Sequence, residues 1–270
     1  EHGHRLPDIL DYTLAQVRGF VAATARSDAA RDARLLSLVA ESGRALALAD
    51  LSAALGLPKA TAHRLCAQLE AAGFLMRDVE ARSFSVGPAL RKLAFDTLTH
   101  GVVRGLRHEV LAALVAEVGE TCNFTTLDGA RVLYLDRVEA QWPLRLALDI
   151  GSHVPLHCTA SGKLLLAHLP QPQRDRLIGQ LPLPPMTPNT LTTIDALRAD
   201  CERIAQQGHA CDNEEFIAGL VAAAVPVRDA AGGVRAALAV HAPTARMTLH
   251  GAVAQVPALR EAAARMGSLL

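Results

Sequence analysis

Apolar residues recur at helical spacing in three successive segments of the N-terminal third of the chain. The segments cover residues 27–43, 48–55 and 58–72, and a glycine closes each of them. Glycine ends helices readily because it adopts the left-handed conformation of a helix C-terminus without steric cost. The pattern therefore predicts three short helices in close succession.

A small hairpin is predicted directly after these helices. Residues 74–77 and 83–86 are short strand-like runs that flank a charged tip, which is typical of a hairpin. Three helices followed by a hairpin are the elements of a winged helix-turn-helix. Residues 8–25 also have a helical pattern, but no clear capping residue defines its ends.

The rest of the chain alternates helical and strand-like patterns. The Asp128-Gly129 pair is a strong hairpin signal between two of the strand-like runs. Strands that alternate irregularly with helices favour an α+β sensor-type domain around one sheet. The pattern predicts helices at 88–98, 103–118, 160–169, 172–179, 194–207 and 256–266, and strands at 122–129, 131–139, 143–151, 220–228 and 234–241.

Composition and charge narrow the class of protein. With 270 residues, half of them hydrophobic, the chain is long enough for two domains that each bury a core. The formal net charge is zero at pH 7, so any surface that binds nucleic acid is expected to be local. The five cysteines form no C-x-x-C pair, which favours reduced thiols in a cytoplasmic protein. No apolar run reaches the length of about 18 residues that a membrane span requires, so no membrane partner is expected.

The segment DLSAALGLPKATAHRLCAQLEAAGF has the spacing of two helices that cross at a tight turn. Ser52 is small enough for a close approach of the helices, and Gly56 supplies the positive φ of the turn. Side chains of the second helix that lie outside the expected core belong to types that contact bases and phosphates. An ordinary helical hairpin has the same spacing, and the spacing alone leaves that alternative open. The predicted DNA-binding residues of this helix are Lys59, Ala60, Thr61, His63 and Arg64.

The presumed wing adds two further candidates for DNA contact. Arg77 and Arg82 bracket the hairpin, where a basic tip reaches a phosphate or a neighbouring groove. Asp78 and Glu80 share that tip and make it only modestly basic. Weak non-specific affinity for DNA is therefore expected.

The run PLHCTASGKLLLAHL has the features of an anion-binding helix start. Thr159 is placed to cap the helix, and the small residues that follow it allow a ligand to approach the backbone. Free N–H groups at a helix start favour a carboxylate, and Lys163 is expected to add positive charge. In the alternative interpretation, Thr159 and Ser161 simply cap the helix.

Several blocks of the chain, in the right order, resemble the IclR family of transcriptional regulators over about residues 30–260. The blocks are GLPKATAHRLCAQLEAAGFLMRD followed by FSVGPALRKLA, then TCNFTTLDGARVLYLDRVE, GSHVPLHCTASGKLLLAHLP, TLTTIDALRADCERIAQQGHACDNEEFIAGLVAAAVPV and AALAVHAP. The resemblance implies an α+β protein with a winged helix-turn-helix at 28–88, a dimerising linker helix at 89–102 and a GAF-like effector-binding domain at 103–270. It also implies homodimers that are able to pair into tetramers.

The resemblance places the effector-contacting positions on several elements of the second domain. Ala222, Ala239 and His241 stand where glyoxylate or pyruvate sensors of the family often have small polar residues, so we expect more room and a larger acid, including aromatic acids. Asp212 or His241 is expected to contact the polar end of that acid. The implied positions are Leu144, Leu146, Val154, Ala160, Ser161, Asp212, Leu220, Ala222, Ala239 and His241.

No catalytic residue, metal site or cofactor is expected. His157 and Cys158 are adjacent, and neighbouring residues of a strand point to opposite faces, which argues against a nucleophilic pair or a shared metal ion. Glu214 and Glu215 are interpreted as a solvated turn. The chain lacks G-x-S-x-G, and TASGK lacks the distal glycine and the hydroxyl residue of a P-loop.

The sequence thus predicts a regulator, not an enzyme, that binds double-stranded operator DNA as a dimer or tetramer and senses a small carboxylate. Both a repressor and an activator are compatible with these residues. One alternative is an enzyme or small-molecule-binding protein whose helix-turn-helix mediates protein contacts. Another is an architectural DNA-binding protein without an effector, against which the segment from TASGK to DNEE argues.

Overall fold

The computed structural model describes residues 28–42, 44–78, 82–99, 101–142 and 148–270. The chain forms two compact units that divide between Asp96 and Thr97. The helix predicted at 8–25 lies outside the described residues. Within the described ranges, no helix is both long enough and apolar enough to cross a membrane.

The N-terminal unit combines helices with a small antiparallel sheet. Its helices are α1 (Asp28–Ser42), α2 (Leu48–Leu55) and α3 (Lys59–Ala71), and its strands are β1 (Leu46–Ala47), β2 (Leu75–Asp78) and β3 (Ser83–Val86) in the order β1-β3-β2. The predicted three helices and hairpin are confirmed. The sequence pattern does not predict β1, because two residues are too few to show a period.

Buried leucines from each of the three helices form the core of this unit. Leu35, Leu51 and Leu65 are each at most 1% exposed and belong to one cluster. The turn between α2 and α3 has Gly56 at φ 64°, a conformation that favours glycine. The Ser52 hydroxyl donates to the carbonyl oxygen of Leu57 at 2.7 Å and ties the turn to α2. Helix α3 is therefore held at a fixed angle to α2.

The remaining elements are ordered along one antiparallel sheet. Two helices, α4 (Pro88–Thr99) and α5 (Gly101–Val118), precede it. The sheet order is β6-β5-β4-β9-β8-β7. The strands are β4 (Thr121–Asp128), β5 (Arg131–Val138), β6 (His153–Pro155), β7 (Ala210–Asn213), β8 (Leu220–Arg228) and β9 (Val234–Pro243), and the helices are α6 (Ala160–Ala167), α7 (Gln171–Gln180), α8 (Ile194–Gln207), α9 (Leu249–Ala254) and α10 (Val256–Gly267).

Helices cover both faces of this sheet. Every residue of α6 is buried, and α6 and α8 share a core cluster with Tyr134, Ala222 and Ala239 from the strands. Helices α5 and α10 pack against each other, α5 also against β4 and β5 and α10 against β8 and β9. The α+β prediction is confirmed, and α6 lies as a central helix against the sheet.

Three parts of the C-terminal unit differ from the sequence-based prediction. The strand predicted at 143–151 has its first five residues outside the described ranges, and its last four lie in a turn with Gly151 at φ 88°. The strand that pairs with β5 is β6 instead. Strand β7 and helix α9 are also additional, and both are too short to give a clear period.

Candidate functional site

One face of the sheet carries a row of neighbouring side chains from four adjacent strands. Asp212 on β7 pairs with Ala222 on β8, and Ala222 pairs with His241 on β9. Asn123 on β4 pairs with Ala239, two residues before His241. Paired residues of adjacent strands project to the same face, so these side chains lie beside one another.

The N-terminus of α6 faces this row and closes a cavity over it. The cavity has a volume of about 30 Å³, which is enough to hold a water molecule. Its lining combines apolar groups with several hydrogen-bonding groups. The lining residues are Asn123, Tyr134, Val154, Thr159, Ala160, Ser161, Asp212, Phe216, Leu220, Ala222, Ala239 and His241.

The start of α6 is shaped by close packing and by a side-chain cap. Thr159 is the N-cap, and its hydroxyl oxygen accepts from the N–H of Gly162 at 3.1 Å. The first backbone bond of the helix runs from the Lys163 N–H to the Thr159 carbonyl, which leaves the N–H groups of Ala160 and Ser161 ahead of it. These two residues line the cavity. The predicted cap is confirmed, and the helix start presents donors to the cavity.

Lys163 does not serve as a free positive charge at this site, contrary to the expectation from sequence. Its ammonium group lies 2.6 Å from Glu215 Oε2 and 3.1 Å from Asp200 Oδ2, and the residue is 1% exposed. The charge of Lys163 is therefore balanced by two carboxylates inside the unit. The interpretation of Glu214 and Glu215 as a solvated turn is also wrong, because Glu215 is buried and Glu214 Oε2 accepts from the Gly219 N–H at 2.7 Å.

Asp212 is the acidic group of the cavity. Its Oδ1 accepts from the N–H of Glu215 at 2.7 Å, and the residue is 3% exposed. Burial raises the pKa of Asp212 to about 7, an effect that the N–H groups of Glu215 and Phe216 only partly offset. A substantial fraction of the Asp212 carboxyl is therefore protonated near neutral pH and is able to donate a hydrogen bond.

His241 is the basic group of the cavity, and it is neutral. Asn123 Nδ2 lies 2.8 Å from His241 Nδ1, and Arg137 Nη1 donates to Asn123 Oδ1 at 3.0 Å. Burial, followed by the positive charges of Arg137 and Arg246, lowers the pKa of His241 to about 3. The ring is thus an uncharged hydrogen-bonding group at physiological pH.

The structure brings together all the predicted effector positions that it describes. Val154, Ala160, Ser161, Asp212, Leu220, Ala222, Ala239 and His241 line the one cavity, whereas Leu144 and Leu146 lie outside the described residues. Contact of any of these residues with an effector stays a prediction.

Sequence reasoning missed the contribution of four lining residues. It missed Asn123, Tyr134 and Phe216 as lining residues and assigned Thr159 only a capping role. A polar Asn123 among buried residues of β4 is the signal that would have identified one of them. Tyr134 and Phe216 line the cavity beside the alanines at 222 and 239, and the expectation of a larger acid stays a prediction.

The candidate DNA-contacting residues lie on the surface of the N-terminal unit. Thr61 is half-buried, whereas Lys59, Ala60, His63 and Arg64 are exposed on α3. The first turn of α3 has no acidic residue, so no negative charge in that turn repels a phosphate. On the wing, Arg77 and Arg82 are exposed, and the guanidinium of Arg77 lies 5.8 Å from the centre of the Phe84 ring.

His157 and Cys158 do not form a reactive pair. They follow β6 in a bend rather than lying on a strand, so the argument from alternating faces does not apply. His157 Nε2 instead bonds to the carbonyl of Pro184 at 3.1 Å, and burial raises the pKa of the Cys158 thiol to about 12. Among the described residues, no group of three or more His, Cys, Asp and Glu side chains is placed to hold a metal ion.

Comparison with known proteins identifies both units. Residues 29–79 match the family profile described as the IclR helix-turn-helix domain. Residues 95–267 match the profile described as bacterial transcriptional regulator IclR, C-terminal.

Relatives match over most of the chain. It is 44% identical to the probable transcriptional regulator SauR of Cupriavidus necator over 88% of this chain and 94% of that protein. It is 28% identical to the HTH-type transcriptional repressor AllR of Escherichia coli over 89% of each chain. A crystal structure of an IclR homologue from Microbacterium hydrocarbonoxydans complexed with 4-hydroxybenzoate has a TM-score of 0.56 and 26% identity, covering 89% of this chain and 97% of that one. These proteins are named as regulators or regulator homologues, which confirms the prediction that the chain is not an enzyme.

Proposed function

Because the chain belongs to the IclR family of bacterial transcriptional regulators, we propose that it binds operator DNA as a dimer and changes its affinity for that DNA when a small organic acid enters the cavity. It acts on the chromosome, in the cytoplasm. The observation that carries the proposal is the cavity itself, which combines the start of α6, Asp212 and His241 in a chain that also has a helix-turn-helix.

The chemistry of the cavity favours an anionic ligand. The helix start presents backbone donors, His241 is a neutral ring, and the Asp212 carboxyl is partly protonated near pH 7. Backbone N–H groups at a helix N-terminus and a protonated carboxyl both donate to a carboxylate. We therefore propose that the effector presents a carboxylate to this side of the cavity.

The volume of the cavity favours an acid of few heavy atoms. At about 30 Å³, the cavity admits a two- or three-carbon acid only if its lining shifts outward, and a larger acid requires a larger shift. Aromatic acids, which the sequence also suggested, are the second candidate class, and the related structure with 4-hydroxybenzoate supports including them. An aromatic acid requires the Phe216 side chain to move, because that ring lines the same space.

DNA recognition is assigned to α3 and the wing, with each copy of the chain reading one half-site. We propose a winged helix-turn-helix at 28–88, a linker helix at 89–102 that dimerises the chain and an effector-binding domain at 103–270. A dimer reads two half-sites separated by about one helical turn of DNA, or a multiple of it. An effector that favours one arrangement of the dimer changes the spacing of the two α3 helices and thereby the affinity, and two dimers are able to pair as a tetramer.

The experiment is a fluorescence-anisotropy titration of the intergenic DNA beside the gene of this protein, with and without glyoxylate, pyruvate and benzoate. We expect specific binding by the wild type and a loss of about tenfold or more for Arg64→Ala. The control Arg176→Ala removes the same charge from exposed helix α7 and should bind as wild type does. Equal binding to this DNA and to random duplex, with no response to any acid, would contradict the proposal.

A further inference from the structure

His241 has one ring nitrogen with a partner and one without. Its Nδ1 lies 2.8 Å from Asn123 Nδ2, whereas Nε2 is buried and makes no hydrogen bond to any described residue. The residue is 5% exposed and lines the cavity. A buried polar atom without a partner costs free energy, and a ligand in the cavity is able to relieve that cost.

Arg137 decides which way the Asn123 amide faces. A guanidinium group only donates hydrogen bonds, so the atom of Asn123 that lies 3.0 Å from Arg137 Nη1 is the amide oxygen. The amide nitrogen therefore faces His241 Nδ1 and donates to it. Since Nδ1 accepts, the single proton of the neutral ring resides on Nε2.

Arg137 is the positively charged end of this series of hydrogen bonds. It is 7% exposed, and it shares its charge with Glu139 through a contact of 3.3 Å between Nε and Oε1. Lys163, the other buried cation near the cavity, is balanced by Glu215 and Asp200. Arg137 thus polarises the Nε2–H group through Asn123 and does not itself line the cavity.

We infer that Asn123 and Arg137 are positioning residues that hold His241 as a fixed hydrogen-bond donor to the oxyanion of the effector. This inference rests on the proposed function, because it assumes that the effector occupies the cavity. It makes His241 a specificity-determining residue. A carboxylate oxygen accepts from Nε2–H, whereas an ammonium or other donor group at the same point has no partner and is rejected.

The tautomer is measured directly by nitrogen NMR of the full-length protein labelled with 15N-histidine. We expect the His241 signals of the neutral form protonated at Nε2 in the wild type, and a mixture of the two neutral tautomers in Arg137→Gln, where the Asn123 amide is released. The matched control is Arg131→Gln, which removes an exposed arginine from the same strand β5 and should leave the signals unchanged. A wild-type ring protonated at Nδ1 would overturn the inference.

Binding is measured by calorimetry with glyoxylate, pyruvate and benzoate as probes. The loss of a charge-assisted hydrogen bond weakens binding by about tenfold to a hundredfold, and we expect this loss in His241→Phe. A smaller loss is expected in Arg137→Gln and none in Arg131→Gln. Thermal unfolding of each variant shows whether the fold is retained, and Arg137→Gln keeps the test open if His241→Phe does not fold.

The outcomes separate this inference from the proposed function. If an acid binds the wild type and a folded His241→Phe equally well, the inference is wrong and the proposed function stands. If no acid binds while His241 is protonated at Nε2, the carboxylate proposal fails together with the role of His241 as a donor to the effector, and only the assigned tautomer is supported. If the ring is protonated at Nδ1, the inference fails whatever binds.

Discussion

Lys163 and Glu215 form a buried ion pair that joins the start of α6 to the segment between β7 and β8. The ammonium nitrogen lies 2.6 Å from Glu215 Oε2, and the Glu215 N–H donates to Asp212 Oδ1 at 2.7 Å. Thr190 adds a further tie, because its hydroxyl donates to the Glu215 carbonyl at 2.6 Å. The pair therefore fixes the position of Asp212 relative to the helix start that shares its cavity.

Removing the ammonium group should destabilise the C-terminal unit strongly. In Lys163→Met, the buried Glu215 carboxylate loses its partner, whereas Asp200 keeps Arg203, and breaking a buried pair costs about 3–5 kcal/mol. Urea unfolding measures the change in the free energy of unfolding. The double variant Lys163→Met, Glu215→Leu removes both members of the pair and should recover part of the loss. A loss of less than about 1 kcal/mol in the single variant would mean that the pair does not stabilise this unit.

Gly162 should not tolerate even one added methyl group. A Cβ there would lie 2.4 Å from the Leu156 carbonyl oxygen and 2.6 Å from the Leu156 Cα, so the backbone would have to shift. We expect Gly162→Ala to destabilise by about 1–3 kcal/mol or more. Thermal or urea unfolding measures the change.

Gly179 provides the matched control for that substitution. It lies in α7, where an added Cβ would have nothing within 4 Å, and alanine is favoured over glycine in an unstrained helix. Gly179→Ala should therefore raise stability by up to about 1 kcal/mol. Equal effects at the two positions would contradict the close packing of α6 against Leu156.

The raised pKa of Asp212 predicts a pH dependence of stability. The folded protein holds the proton more tightly, with a pKa of about 7 against a reference value of 3.8, so this group stabilises the fold at acid pH. The contribution is fully present below about pH 4 and is lost as the pH rises through about 7. Relative to Asp212→Asn, the free energy of unfolding of the wild type should fall by up to about 1.4 kcal/mol per pH unit in this window.

Urea titrations of both proteins at several pH values test this dependence. The variant is the necessary reference because His241 has a lowered pKa. Its titration makes the free energy of unfolding rise with pH in both proteins, which is opposite to the effect of Asp212. A constant difference between wild type and Asp212→Asn from pH 4 to pH 8 would show that Asp212 ionises as an ordinary carboxyl group.

Effector affinity should depend on the same proton. A protonated Asp212 donates to a carboxylate ligand, whereas an ionised Asp212 repels it. We expect the Kd for glyoxylate to rise above pH 7, by up to about tenfold per pH unit, and calorimetry at successive pH values measures it. Asp212→Asn keeps a donor without the titrating proton, so its Kd should vary less with pH. Parallel profiles for the two proteins would exclude Asp212 as the titrating group.

The sequence by itself determined the local features of this protein. Gly56, Ser52 and the apolar spacing around them specify the turn between α2 and α3, because each signal acts within a few residues of the chain. Thr159 specifies the start of α6 for the same reason. The family resemblance supplied the remaining positions, and those within the described residues line one cavity.

Only the tertiary structure decided the electrostatics of the site. Lys163 is balanced by Glu215, which lies 52 positions later in the chain, and the tautomer of His241 depends on Asn123, 118 positions earlier. Such pairs are set by strand register and by the packing of α6 on the sheet, which no local pattern encodes. The volume of the cavity was decided in the same way, because Tyr134 and Phe216 line it from distant parts of the chain.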